Sequence, residues 1–223
     1  MTGLDRPGGR SVGRVDRSRN LVGWLLLVLV AAVAVGAAVL GVTEAPRQAS
    51  LRQAVDNTLG ASSYTEDISH ATPQGTETLH LVFQAPDRLG GYIQLGNARS
   101  YVFVVGSTQY QSATVTPGTS TRGLTFYKHL GTPARSNDPL AAYLADYVRP
   151  AAVVHRDGTR YRVTVVKSGQ TGTFVTTVSG SYVAELSVRA PGLADDIVVS
   201  SVGSSPPVRL PAGARVLPAP GLP

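Results

Sequence analysis

The chain contains no cysteine among its 223 residues. This absence excludes structural disulfides, thiolate-bound metal ions and a cysteine nucleophile. It also excludes a lipoprotein anchor, because that anchor is built on an acylated cysteine. Attachment of this protein to a membrane would therefore need a hydrophobic segment of the chain itself.

Residue patterns that carry catalysis or bind metals are also missing. The chain has no GxSxG elbow, no glycine-rich phosphate loop and no dinucleotide-binding fingerprint. Asp195 and Asp196 are adjacent in or beside a predicted strand, so their carboxylates point to opposite faces and cannot share one proton. The histidines lack the HExxH context and the i, i+4 helical spacing of metal ligands; they are His70, His80, His129 and His155. The sequence predicts neither an enzyme nor a metal or cofactor site.

The longest hydrophobic run covers residues 21–42 and contains no charge. As a helix of 22 residues it would measure roughly 33 Å, which matches the core of a bilayer. Five arginines and only two aspartates precede it, so the positive-inside rule puts residues 1–20 in the cytoplasm and the rest of this single-pass protein outside the cell membrane. A cleaved signal peptide is the alternative, although this run is longer than a usual signal h-region.

The formal net charge of +6 does not indicate a nucleic-acid-binding protein. About half of the excess lies in residues 1–20, and the outer segment carries 15 basic and 12 acidic residues without a cluster. Nucleic-acid binding needs basic residues concentrated on one face, so a solvated surface is the better interpretation. No nucleic-acid partner is predicted.

Two helices are predicted in the outer segment. Ser50 is a plausible N-cap for the first, whose apolar face holds Leu51, Val55 and Leu59, and Gly60 ends it. In the second, Asn137 or Asp138 caps the start, Pro139 suits the first turn, and Pro150 ends the helix. The apolar side of the second helix consists of Leu140, Leu144 and Tyr147 or Val148. Both helices are expected to cover a sheet.

Most of the remaining sequence alternates with a period of two, which is typical of strands. Apolar positions alternate with polar ones on both sides of the Ala85-Pro86-Asp87 corner, and similar hairpins follow at Gly106-Ser107, Asp157-Gly158 and Ser179-Gly180. A sheet with this many strands must curl. Six prolines in the last eighteen residues predict an extended C-terminal segment that does not form a central strand.

In this order the segments resemble the LolA-like envelope proteins, and more closely the LppX/LprG branch of high-GC Gram-positive bacteria. The resemblance covers roughly residues 50–216. It is carried by LRQAVDNTLGASSY, LVFQAPDRL, YVFVVGSTQYQS, DPLAAYLADY, SGSYVAELSVRAPG and VGSSPPVRLPAGARV. Members of the branch are typically lipoproteins with a modified cysteine, and this chain departs from them because a predicted transmembrane helix stands where the lipid anchor would be.

The resemblance implies an α+β fold in which a strongly bent antiparallel half-barrel is lidded by helices. In such proteins the hollow accepts lipid acyl chains or lipoproteins, which would make this domain an acceptor, donor or sensor held at the membrane. Eight strand residues are candidates for one face of the cavity wall, with a packed core as their alternative role: Leu79, Leu81, Phe83, Leu89, Ile93, Leu95, Tyr101 and Phe103.

The domain organisation expected from these observations has five parts. They are a basic cytoplasmic segment (residues 1–20), a transmembrane helix (21–42), a tether (43–50), a LolA-like extracytoplasmic domain (51–205) and a proline-rich tail (206–223). An alternative function is a solid-core interaction module that binds another envelope protein through a sheet edge or the tail. A third, signal transduction, is disfavoured because the cytoplasmic segment is too short for a domain.

Overall fold

The computed structural model describes residues 46–151 and 153–219. The predicted cytoplasmic segment and transmembrane helix lie outside these residues. No helix in the described part of the chain has both the length and the apolar character needed to cross a bilayer.

Helix α1 covers Pro46–Leu59 and therefore begins before the predicted N-cap. Ser50 lies inside the helix, so its assignment as the cap is wrong. The helix also includes residues 46–50 of the predicted tether. The predicted apolar face is confirmed, because Leu51 and Val55 are buried and Leu59 packs against the core. The helix ends as predicted, where the backbone N–H of Gly60 donates to the carbonyl of Asp56 over 2.8 Å.

One twelve-stranded sheet forms the body of the domain. In chain order the strands are β1 Ser63–Thr72, β2 Gly75–Gln84, β3 Arg88–Leu95, β4 Ala98–Val105, β5 Thr108–Ser112, β6 Thr125–Leu130, β7 Val153–Asp157, β8 Arg160–Lys167, β9 Gln170–Ser179, β10 Tyr182–Ala190, β11 Leu193–Ser200 and β12 Arg215–Pro218. Their order across the sheet is β12-β6-β5-β4-β3-β2-β1-β11-β10-β9-β8-β7.

The sheet is curled and open. All neighbouring strands are antiparallel except β12, which runs parallel to β6. Among the described strands, β7 and β12 each have one neighbour and form the two edges. The helices pack on one face, which we call the concave face, and the other is the convex face. The antiparallel sheet with few helices is thus confirmed, with one parallel edge strand added.

Helix α2 lies over the concave face and is short. It covers Pro139–Tyr143, follows a 3₁₀ turn at Ala134–Asn137, and continues into a π-helical turn at Leu144–Val148. Asp138 is its N-cap and accepts a hydrogen bond from the backbone N–H of Ala141 over 2.8 Å. Of the two predicted caps, Asp138 is therefore confirmed, and Asn137 belongs to the preceding turn.

The proline-rich segment packs on the convex face before it forms the edge strand β12. Val208 is buried there, its N–H donates to the side chain of Gln84 over 3.1 Å, and its carbonyl accepts from Arg88 over 3.3 Å. The prediction that this segment does not form a central strand is confirmed. The buried Val208 nevertheless contributes to the packing of the convex face.

Two consecutive glycines of β3, Gly90 and Gly91, allow neighbouring atoms to approach the strand backbone closely. A Cβ atom on Gly91 would lie 1.8 Å from the backbone carbonyl oxygen of His80 on β2. A Cβ atom on Gly90 would lie 2.6 Å from the ring of Phe103 and 2.8 Å from Val208 on the convex face. A side chain at position 91 would therefore clash with the backbone of β2. A side chain at position 90 would clash with the side chains that cover the convex face.

Candidate functional site on the concave face

Strand register arranges the concave face in rows of side chains that cross several strands. Residues directly opposite each other in neighbouring antiparallel strands share a face. One row crosses β10, β11, β1, β2 and β3 and contains only aliphatic side chains. We call it the aliphatic row, and it consists of Leu186, Ile197, Ile68, Leu79 and Ile93. At about 4.8 Å between strands it is roughly 19 Å long.

The predicted wall residues divide between the two faces. Register places six of the eight on the concave face: Leu79, Leu81, Phe83, Leu89, Ile93 and Leu95. Tyr101 pairs with Tyr92 and Phe103 pairs with Gly90, so both lie on the convex face. The expectation of a single shared face is corrected for these two residues. The physical reason is the tight turn between β3 and β4, which pairs Leu95 with Ala98.

One part of the concave face is packed beneath the helices. Leu51 and Val55 of α1 and Leu140 and Leu144 of α2 are fully buried against the sheet. The sheet residues beneath them are Tyr64, Ile68, Leu81, Phe83, Leu89, Val104, Tyr161, Val163, Phe174, Val183, Leu186, Val188, Ile197 and Val199. Four of the predicted concave wall residues border or belong to this core, and Leu81, Phe83 and Leu89 are buried in it.

The aliphatic row continues beyond this packed core. Leu186, Ile197 and Ile68 are buried in the core, and Leu79 packs against its border. Ile93 is half-buried and Leu95 is 37% exposed, and neither packs in the core cluster of the described residues. An apolar surface thus leads out of the core at the ends of β2 and β3.

A row of polar side chains borders this apolar surface. Its polar members are Asp195 on β11, His70 on β1 and Glu77 on β2. The same row ends on β3 at the apolar Leu95. The carboxylate of Asp195 is hydrogen-bonded to His70 and accepts from the hydroxyl of Tyr143 on α2. Burial raises the pKa of Glu77, and His70 opposes that rise. As predicted, the carboxylates of Asp195 and Asp196 point to opposite faces, since Asp195 is buried and Asp196 is exposed.

A second buried polar group lies beneath the start of α2. Glu66 has no exposed surface, and its Oε2 atom accepts from the backbone N–H of Leu140 over 3.2 Å, while its Oε1 atom has no hydrogen-bond partner. Asp138 accepts from the hydroxyl of Tyr64 and lies 3.5 Å from Arg135.

Burial raises the pKa of Glu66 well above its usual range, and the nearby Asp138 raises it further. Asp138 has three polar partners of its own, in Tyr64, Arg135 and the N–H of Ala141. Burial raises the pKa of Asp138 as well, and these three partners oppose that rise.

A groove of about 660 Å³ lies between the two helices. Its lining includes Arg52 and Gln53 of α1 and Arg149 just after α2, and the guanidinium of Arg149 forms an ion pair with Asp56 over 3.1 Å. Arg52 also donates to the carbonyl of Arg149 over 3.1 Å. This groove is polar and open, so it does not offer the apolar wall that an acyl chain needs.

Comparison with known proteins gives results for structure only. No protein-family profile and no curated protein sequence matches this chain. The chain is similar to LprF from Mycobacterium bovis, at 15% identity over 78% of this chain and all of that one, with a TM-score of 0.46. It is also similar to the lipoprotein LppX from Mycobacterium tuberculosis, at 13% identity over 73% of this chain and 97% of that one, with a TM-score of 0.45.

LppX belongs to the branch of envelope proteins that the sequence resembles, and its solved structure is similar to that of this chain. TM-scores and sequence identities of this size are too low for a function to be transferred from either protein to this chain.

The sequence contained a signal for the buried Glu66 that residue types alone do not reveal. Tyr64, Glu66 and Ile68 alternate with polar neighbours in β1, so a period of two already puts the carboxylate on the apolar face. The carboxylate of Asp195 follows the same rule with Ile197 in β11. The helix residues that complete both clusters come from distant parts of the chain and could not be paired with them from sequence.

Proposed function

We propose that this protein is a membrane-anchored extracytoplasmic domain that binds the acyl chain of a lipid or lipoprotein on the concave face of its sheet. The domain would act as an acceptor, a donor or a sensor of that ligand. The observation that carries the proposal is the aliphatic row, which leaves the packed core at Leu79 and ends at the half-buried Ile93, beside the exposed Leu95 of the neighbouring row.

The chemistry of this surface suits an amphiphile. An acyl chain laid along the end of the aliphatic row would remove apolar surface from water, which contributes about 0.8 kcal/mol for each buried methylene. The neighbouring row supplies His70 and Glu77, which lie beside the apolar residues and can bond a polar head group. An apolar track with a polar border is the pattern expected of a site for such a ligand.

Anchoring rests on the sequence. The uncharged residues 21–42, preceded by five arginines, support a retained transmembrane helix. The intact mass of the chain isolated from membranes tests this part directly. An intact mass that accounts for residues 1–42 supports the anchor. An intact mass of a chain that starts after residue 36 would show that the segment is a cleaved signal.

Native mass spectrometry of the outer segment, residues 44–223, tests ligand binding. We expect the protein purified from a membrane-containing lysate to carry an acyl lipid in near-stoichiometric amount. Ile93→Gln should lower the bound fraction about tenfold, since it replaces about two methylenes of apolar contact by an amide. An unliganded mass that stays unchanged after incubation with phospholipid micelles would overturn the proposal.

The convex face provides the matched control. Tyr101 is half-buried like Ile93 and lies on a neighbouring strand, but its side chain is on the other face of the sheet. Tyr101→Gln should therefore leave the bound fraction unchanged. Equal losses in both variants would indicate a general disturbance of the sheet rather than a site on the concave face.

The interaction module is the second candidate, and the packing beneath the helices favours it. A continuous core of buried side chains occupies the concave face beneath α1 and α2. In that case the partner would add to one of the two edges, β7 or β12, through backbone hydrogen bonds. A clean unliganded mass would direct the search to these edges.

A further inference from the structure

The edge of the sheet formed by β7 and β8 combines exposed apolar and exposed basic side chains. Val154 is 65% exposed and Val166 is 69% exposed. Arg160 and Arg162 are exposed and lie on the convex face with Val166, because positions of equal parity in β8 share a face. We call these four residues together with the exposed His155 the β7–β8 patch.

The patch is positively charged. Register places Arg162 between His155 on β7 and Val175 on β9, and Arg160 between Asp157 and Thr177. Asp157 is the only carboxylate in the described residues of β7, β8 and β9. The two guanidinium groups are therefore opposed by a single carboxylate in these three strands, and Val154 and Val166 supply apolar surface beside them.

The beginning of the domain lies next to the same edge. The side-chain amide of Gln48, in the first turn of α1, donates to the carbonyl of Ala151 over 3.2 Å, just before β7 begins. Gln48 is six positions after the end of the predicted transmembrane segment at position 42. An extended chain of that length covers at most about 21 Å. The proposed anchor would thus keep this edge close to the bilayer.

We propose that the β7–β8 patch docks the domain on the surface of a membrane that contains anionic phospholipids. This inference rests on the anchoring part of the proposed function and adds an orientation and a lipid class to it. Arg160 and Arg162 would contact lipid phosphates, and Val154 and Val166 would lie in the interface. Each basic side chain at an anionic surface should raise the ratio of docked to undocked domain about fivefold.

A membrane fits the patch better than an added strand from a second copy. Strand addition at β7 would use the backbone groups of its open edge. It would leave Arg160, Arg162 and Val166 uncovered, because their side chains stand on the convex face of β8, one strand further in. β7 also carries a register shift between Val153 and His155, which disturbs the regular edge that a partner strand needs.

Site-directed spin labelling of the full chain in nanodiscs tests the docking. The chain has no cysteine, so Val166→Cys gives a single label without further changes. Leu130→Cys is the matched position, since Leu130 is 85% exposed on the convex face of β6, far across the sheet order from β8. The readout is the accessibility of each label to oxygen, which partitions into lipid, and to a nickel chelate, which stays in water.

We expect the label at position 166 to become protected from nickel in nanodiscs that contain phosphatidylglycerol, and to stay accessible in pure phosphatidylcholine. The label at position 130 should stay accessible in both. Arg160→Gln combined with Arg162→Gln should lower the docked-to-undocked ratio about 25-fold. The charge-matched pair Arg122→Gln and Arg215→Gln, both exposed elsewhere, should not change it.

Three results would overturn the proposal in different ways. Equal nickel accessibility at positions 166 and 130 in anionic nanodiscs, with the chain incorporated, would refute docking and leave anchoring intact. Dipolar coupling between labels on two chains at position 166 would identify a second copy as the occupant. A chain that elutes apart from the nanodiscs would refute the anchor itself, and the docking with it.

Discussion

The two ends of the aliphatic row carry the same kind of side chain and differ in what covers them. At one end Leu186 and Ile197 have almost no exposed surface beneath the helices. At the other end Ile93 is half-buried, and the adjacent Leu95 is 37% exposed. The difference is supplied by α1, with 14 residues, and α2, with 5 residues, which cannot cover all twelve strands.

This contrast shows that the helices, rather than the strands, decide where the packed core ends and where an uncovered apolar surface begins. A sheet of twelve strands has more concave surface than two short helices can bury, so part of its apolar face stays available. The covered region also holds the buried polar groups around Glu66 and Asp138, which tie α2 to β1. The following changes should separate the two regions, beginning with the largest effect.

Gly91→Ala should have the largest effect, because it would disturb the close approach of the β3 backbone to β2. The added Cβ atom would meet a backbone oxygen at 1.8 Å, and a strand backbone cannot move away as a flexible side chain can. We expect a loss of about 4 kcal/mol or more in the free energy of unfolding, or no folded protein. Urea unfolding of the full chain in detergent, followed by the near-ultraviolet circular dichroism of its nine tyrosines, measures this.

Gly172→Ala is the matched control in the covered region. Gly172 is also a buried strand glycine of the concave face, paired with Val165, but a Cβ atom there would have its nearest neighbour at 3.4 Å, an ordinary contact. Its effect should stay within about 1 kcal/mol. Similar losses at both positions would mean that the close approach at Gly91 is not what shapes the sheet.

Leu186→Ala and Leu79→Ala compare the two regions along one row. Leu186 has no exposed surface, so its truncation should cost about 3 kcal/mol through lost transfer energy and a cavity. Leu79 is half-buried at the border of the core, so the same change should cost about 1 kcal/mol. The two values come from parallel urea titrations. Equal costs at both positions would show that the packed core extends to β3 and that no open surface exists.

The sequence was sufficient to predict most helices and strands. It was not sufficient to predict all of their ends or the face of the sheet on which each side chain lies. The end of α1 at Gly60 and the cap at Asp138 follow from local chemistry, and the structure confirms both. The start of α1 was misplaced because Ser50 is a good cap in isolation, whereas the structure continues the helix back to Pro46. Local signals fix a helix end only where no neighbouring residue extends the pattern.

The misplaced Tyr101 and Phe103 show what residue types leave out. Reading apolar alternation strand by strand gives each strand two faces, but it does not say which face is shared with the next strand. Here the two-residue Gly96-Asn97 turn pairs Leu95 with Ala98 and so turns Tyr101 away from Ile93. That turn is visible in the sequence as a hairpin signal, and applying it would have corrected the face. The coverage by α1 and α2, in contrast, depends on contacts between distant segments.

Glu66→Gln should give the smallest effect at acidic pH, and one that grows as the pH rises. Burial raises the pKa of Glu66 in the folded state above its value in the unfolded chain. The neutral carboxyl therefore contributes its full stability at pH values below the unfolded-state pKa, and this contribution is lost as the pH rises through the folded-state pKa. Glutamine stays neutral, so the variant should gain on the native protein by up to about 1.4 kcal/mol per pH unit across that window.

Urea unfolding of both proteins at several pH values between 4 and 8 measures this difference. Glu185→Gln serves as the control for the loss of one carboxylate from the chain, since Glu185 is exposed on the convex face. A constant loss of stability in Glu66→Gln at every pH would mean that Glu66 is ionised and paired in the fold. In that case the contact between β1 and α2 would be an ion-pair network, and the covered region would depend on charge as well as on packing.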